Sequence, residues 1–202
     1  MRSASHHHAS RLRDRLREEA ARAILEAAEE VLGADGMQAR MERIAERAGV
    51  AVGTLYNHFE DRAALVRSLV RSRREALLSR VDDALAAVRE APVDVQLRAF
   101  FSAVEEHARV HGRLLSVFMQ GGEGPGQARP PKSLLEDLAR RAEAIVARGV
   151  ARGELREDRA NVFAPSLVGI ARVVLVRVLE GGDGPGETSG AIVELFLRGA
   201  AR

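Results

Sequence analysis

Residues 41–66 read MERIAERAGVAVGTLYNHFEDRAALV, and the reading of this stretch decides the fold. Ile44, Ala45 and Ala48 fall on one side of a helix, and Val52, Leu55 and Phe59 recur at i, i+3 and i+7. The spacing predicts two short helices, from about Met41 to Ala48 and from about Val52 to Phe59, with a tight turn at Gly49 between them. Their apolar sides can close on a shared seam, and the small Ala45 and Ala48 let the helices cross closely. The same spacing throws Gly53, Thr54, Tyr56, Asn57 and His58 to the outside of the second helix. That set contains hydroxyls, an amide and an imidazole but no acid. It suits hydrogen bonding to phosphates and base edges in a DNA major groove, which a merely solvated helix face does not need.

Outward from this stretch the helical period continues and alternating β-branched runs are few, so the expected fold class is all-α. Upstream, Ile24, Ala28, Val31 and Leu32 lie one turn apart on a first helix that Gly33 and Gly36 are expected to end. Downstream, a long helix should run from Asp61 to about Arg89, and Pro92 can open another that reaches about Val110. Two loop signals, GGEGPGQARPP from Gly121 and GGDGPGE from Gly181, divide the remainder. Helices are expected from about Ser133 to Arg152, Asp158 to Leu179 and Thr188 to Arg198.

Composition adds limits. The chain has 202 residues with no cysteine and no tryptophan, which removes disulfide frameworks and thiolate metal sites and suits a reducing, cytoplasmic setting. No signal peptide opens the chain and no apolar run suggests a membrane span, so a soluble protein with no membrane partner is expected. The formal net charge is only +2, but its distribution is uneven. Residues 1–17 carry five arginines against one acid, and residues 40–80 carry nine against five. A basic surplus at one end is the electrostatic footprint expected of a nucleic-acid site. Arg11, Arg13, Arg15 and Arg17 fit an arm along the DNA backbone or in the minor groove, and equally a solubilising tail. His6, His7 and His8 have no further ligands beside them; neither a metal site nor a cofactor is expected.

The motif Ile44-Ala45-Glu46-Arg47-Ala48-Gly49-Val50, then Gly53-Thr54-Leu55-Tyr56-Asn57-His58-Phe59, then Asp61-Arg62 before Leu65, resembles the tetracycline-repressor (TetR) family of bacterial regulators. The likeness covers about a quarter of the chain; beyond Leu69 it is architectural. It implies that the second short helix enters the major groove and that Gly53, Thr54, Tyr56, Asn57 and His58 touch bases or phosphates. It further implies a phosphate contact for Arg62. The family usually caps both short helices with serine or threonine, whereas Arg40 and Ala51 stand at those places here. Arg40 can offer a phosphate contact instead. The implied organisation is an N-terminal arm and three-helix helix-turn-helix domain over residues 1–62, then a helical effector-binding and dimerisation domain over 63–202.

In the second part, Val162, Phe163, Leu167, Ile170, Val174, Leu175 and Leu179 leave one helix apolar nearly all round, with Ile192, Val193, Leu195 and Phe196 on the next. The surplus fits a homodimer interface near 158–179 and 188–198, or a fully buried core helix. Phe100, Phe101, Val104, Leu114, Phe118 and Met119 can line an apolar effector pocket, with His107, His111 or Gln120 as its polar groups. Pro165, if interior to its helix, deprives the Asn161 carbonyl of its partner. No phosphate-cradling glycine loop, HExxH or nucleophile elbow is present, so catalysis is not expected. The expected function is a ligand-responsive, DNA-binding transcriptional repressor, released from operator DNA by a small molecule. A regulator controlled by a protein partner or by no effector is the alternative, and a helical enzyme a weaker one.

Overall fold

The computed structural model describes residues 3–120, 132–179 and 187–200. The two glycine–proline loops, and the side chains of His6, His7, His8, Phe118, Met119, Gln120, Leu175 and Leu179, lie outside the described residues. Among the described residues the regular elements are helical. They are α1 (Ser3–Asp35), α2 (Met41–Arg47), α3 (Val52–His58), α4 (Arg62–Ala87), α5 (Val93–Gln120), α6 (Lys132–Ala151), α7 (Ala160–Leu179) and α8 (Glu187–Ala200), with a 3-10 turn at Glu157–Arg159 before α7. The chain divides into two compact units, Met1–Ser72 and Arg73–Arg202, with the break inside α4. The sequence boundary at 62/63 falls at the start of that helix.

In the first unit α1 buries Ile24, Ala27, Ala28, Val31 and Leu32, a stripe at i, i+3, i+4, i+7 and i+8. That stripe packs on α2 and α3. Gly33 lies inside α1; Gly36, at a φ of 83° that other residues rarely adopt, is the one that follows the helix end. The four-residue turn between α1's last turn and Arg40 is closed by Ala39 N–H donating to the Gly36 carbonyl. The basic residues Arg11 to Arg17 are part of α1, an exposed helix and neither an extended arm nor a coil tail. Uninterrupted helix formers and the absence of glycine or proline before Gly33 account for the difference.

The second unit is built on α7, which packs against α5 and α6, while α8 lies against α5. Its core gathers Leu77 and Val81 of α4 with Leu97, Phe100, Phe101 and Val104 of α5. Leu138 and Ile145 of α6, Phe163, Leu167 and Val174 of α7, and Val193 of α8 complete it. Phe100 and Phe101 meet edge to face at 5.2 Å, as do Phe163 and Phe196 at 5.5 Å. Helix α5 continues ten residues past the expected end at Val110, because Gly112 alone does not break a helix that buries Leu114.

Helix α7 is, by length and composition, apolar enough to cross a bilayer, against the expectation that no segment is. Its inner side, Phe163, Ala164, Leu167, Ala171 and Val174, is nevertheless consumed by the unit's own core. Val174 and Phe163, expected at a dimer face, are therefore interior. What remains outward is Val162, 54% exposed, and Val173, 53% exposed. Pro165 stands in the second turn of α7, past the first turn, and is itself exposed on that outer side.

Candidate DNA-binding interface

Helices α2 and α3 are each seven residues long, too short to persist alone, so their placement is a matter of packing and of the turn between them. Gly49, at a φ of 68°, makes that turn. Its N–H donates to the Glu46 carbonyl at 3.1 Å and the Val50 N–H to the Ala45 carbonyl at 3.0 Å. Together these two bonds form the Schellman closure that satisfies the last carbonyls of α2. Met41, Ile44, Ala45, Leu55 and Phe59 are buried, so the seam predicted from the spacing exists. Two members sit further out than the spacing suggests: Val52 is 38% exposed and Ala48 only half-buried. Val52 is the first residue of α3, and the seam begins with Leu55, one turn deeper.

Neither short helix has a side-chain cap. Arg40 and Ala51 hold extended backbone conformations without a capping hydrogen bond. By contrast Asp61 caps α4, its Oδ1 accepting from the Ala64 N–H at 2.6 Å, a role the sequence reading did not assign to it. Asp at three residues before the amide it caps was the available signal.

On α3 the outward residues are where the spacing put them. Gly53, Tyr56 and Asn57 are exposed, and Thr54 and His58 are half-buried along the edges of that face. No acid stands among them. The arginines around this face differ in their commitments. Arg43 is paired with Asp35 at 2.9 Å and Arg47 with Glu30, so both charges are answered from α1. Arg40 is exposed and has no ion pair among the described residues. Arg62 donates from Nη1 to Gln38 Oε1 at 3.0 Å, a neutral partner that orients the guanidinium and leaves its charge uncompensated. Gln38, which nothing in the sequence singled out, thus positions Arg62. An acid-free helix face can donate to phosphates and read base edges, and Arg40 and Arg62, without ion pairs among the described residues, can add phosphate contacts.

The residues expected around an effector lie in the second unit. Phe100, Phe101 and Val104 are fully buried core residues, and His107 is buried beside His111, with ring centroids 4.5 Å apart. Phe118 and Met119 continue the same helix, their side chains outside the described residues.

Residues 24–69 match the family described as bacterial regulatory proteins, tetR family. A comparison with curated proteins finds no match. Among solved structures, a protein with unknown function from Rhodococcus sp. RHA1 is 26% identical, with 91% of this chain and 96% of that one covered and a TM-score of 0.65. The transcriptional regulator FadR from Bacillus subtilis, solved in complex with stearoyl-CoA, is 21% identical over 88% and 97% of the two chains, with a TM-score of 0.70. A ketosteroid transcriptional regulator of Mycobacterium tuberculosis is 21% identical over 90% and 95%, with a TM-score of 0.64. The matched segment runs from the first buried residue of α1 to Leu69 of α4 and contains the whole α2–turn–α3 unit with its exposed, acid-free face. Over this segment the chain is similar to the tetR family of bacterial regulatory proteins, and the helical architecture beyond it is similar to that of the solved structures.

Proposed function

We propose that the chain is a transcriptional repressor that holds operator DNA as a twofold dimer and leaves it when a small molecule occupies the second unit. The observation that carries the reading is the α3 face: Gly53, Tyr56 and Asn57 exposed, Thr54 and His58 at its edges, and Arg40 and Arg62 beside it. In this reading Tyr56, Asn57 and Gly53 approach base edges, and Thr54, His58, Arg40 and Arg62 take phosphates. Two such helices must reach half-sites about 34 Å apart or further, which calls for two copies. The outward side of α7, with Val162 and Val173, and Leu195 of α8, 74% exposed, supply an apolar surface for that pairing.

Phe100, Phe101, Val104 and His107, with Phe118 and Met119, are the residues on which the effector reading rests. The solved complex of the Bacillus subtilis regulator with stearoyl-CoA supports a ligand role for this architecture. Helix α4 starts three residues after Phe59 and continues into the second unit, so it is the natural lever. A tenfold loss of operator affinity needs about 1.4 kcal/mol of difference in ligand affinity between the two states.

The test is fluorescence anisotropy on DNA from the region upstream of the gene. Tyr56→Ala should weaken binding roughly 10- to 100-fold, corresponding to about 1 to 3 kcal/mol, with an unchanged melting temperature. Equal affinity in the folded variant would overturn the docking. Titration of a diverse metabolite library then separates the regulators: if no compound both raises the melting temperature and releases DNA, control by a partner replaces control by a ligand.

A further inference from the structure

Helix α5 buries Leu97, Phe100, Phe101 and Val104 along one side, and His107 follows one turn later, where an aliphatic side chain would extend the stripe. His107 is 9% exposed. Among the described residues neither of its ring nitrogens has a hydrogen-bond partner; its ring contact is with His111. An imidazole so placed can complete its hydrogen bonds with water or with an entering ligand.

The surroundings of His107 are basic. Leu77 of α4 belongs to the same core cluster as Val104, and Arg73 and Arg80 lie one turn before and after Leu77 on the same side of the helix. Both bear electrostatically on His107, as does His111. Arg80 has no ion pair among the described residues. Two buried acids lie on these helices: Asp137 of α6 holds Arg74 and Arg140, and Glu105 of α5 holds Arg109 at 3.2 Å through Oε1 while its Oε2 is buried without a hydrogen bond. The inward residues of α7 are apolar, from Phe163 to Val174, and the charged residues Glu194 and Arg198 of α8 pair with each other.

We propose that Arg73, Arg80, His107 and His111 receive the anionic head of the effector, a carboxylate or a phosphate carried on an apolar body. The inference rests on the ligand-responsive reading and names the chemistry of that ligand. Burial, reinforced by His111, Arg80 and Arg73, pushes the His107 imidazole down to about 4, so it is neutral at pH 7 before the anion arrives. The bound anion favours the charged form. His107 then takes a proton from solvent, and both ring nitrogens become donors. Affinity therefore rises as pH falls from 8 to 6, by at most tenfold per unit for one proton, over a range in which a carboxylate stays ionised.

The experiment is isothermal titration calorimetry on the full chain, in two buffers of different ionisation enthalpy, with sodium decanoate, inorganic phosphate and 1-decanol as probes. At least one anion should bind with net proton uptake, and Arg80→Gln, a change at an exposed position, should weaken it tenfold or more. Decanoate binding alone selects a carboxylate head, and phosphate binding alone a phosphate head. The proposal is overturned if neither anion binds, if binding takes up no proton, if Arg80→Gln has no effect, or if 1-decanol binds as tightly as decanoate. Operator release is scored separately. An anion that binds with proton uptake yet never releases DNA upholds the cluster and removes ligand control. A neutral compound that releases DNA from wild type and Arg80→Gln alike upholds ligand control and removes the cluster.

Discussion

The helices that pack together in the first unit, α1, α2 and α3, follow one another along the chain, and much of what they bury is small: Ala27, Ala28 and Ala45 beside Ile24, Ile44 and Leu55. In the second unit α7 lies on α5 and α6, and the core joins Leu77 to Val193 across most of the chain's length, around two phenylalanines in edge contact. A local pattern is enough to place residues in the first arrangement. In the second, which face of an apolar helix is inside depends on partners far away in sequence. The first unit therefore displays its chemistry on a surface that periodicity can assign, whereas the second conceals its chemistry among packing residues.

The sharpest way to break this comparison is a pair of neighbours on α7. Val174→Glu places a charge in the sealed core and should cost about 4 kcal/mol or more, lowering the melting temperature in circular dichroism by roughly 10 °C. Val173→Glu, on the outward side, should leave the fold intact and abolish the proposed pairing of two copies, read by sedimentation. A destabilised Val173→Glu with a tolerated Val174→Glu would reverse the assignment of inside and outside.

A smaller effect separates the two ends of the α3 seam. Leu55→Ala should cost about 3 kcal/mol, because the side chain is fully enclosed. Val52→Ala should cost less than about 0.5 kcal/mol. Equal losses in denaturant titration would restore Val52 to the seam that its spacing suggested. The smallest effect sharpens the account of the uncapped helices: Ala51→Ser, at an extended N-cap position, should stabilise the protein by about 1 kcal/mol. A serine that adds nothing there would mean that the Ala51 position cannot form a cap.

The sequence made α2, the Gly49 turn, α3 and the outward Tyr56 and Asn57 legible because each depends on spacing within a few residues. It also foretold the missing caps at Arg40 and Ala51. Gln38 escaped notice because its importance comes from Arg62, which lies 24 positions away and meets it only after folding. Val174 was assigned outward because α7 is apolar on both sides, so its period does not reveal which side the core takes. His107 was recognised as a polar group among apolar ones, but its basic surroundings on α4 belong to another helix and leave no local pattern.

One feature of α4 bears on ionic strength. Its attachment to α6 includes charge pairs: Arg74 to the buried Asp137, and Asp82 to Arg141, which donates from Nε at 2.7 Å and from Nη2 at 2.5 Å. The Asp82 pair has an exposed carboxylate and is screened as salt rises, while the Asp137 pair, whose carboxylate is buried though Arg74 is partly exposed, is screened less. Added salt thus weakens one tie of α4 more than the other, over the same range in which counterion release weakens DNA binding itself. A plot of operator affinity against salt will sum both effects, so its slope is not a count of phosphates alone. Replacing Asp82 and Arg141 with an uncharged pair removes the protein's share and leaves the slope that belongs to the DNA.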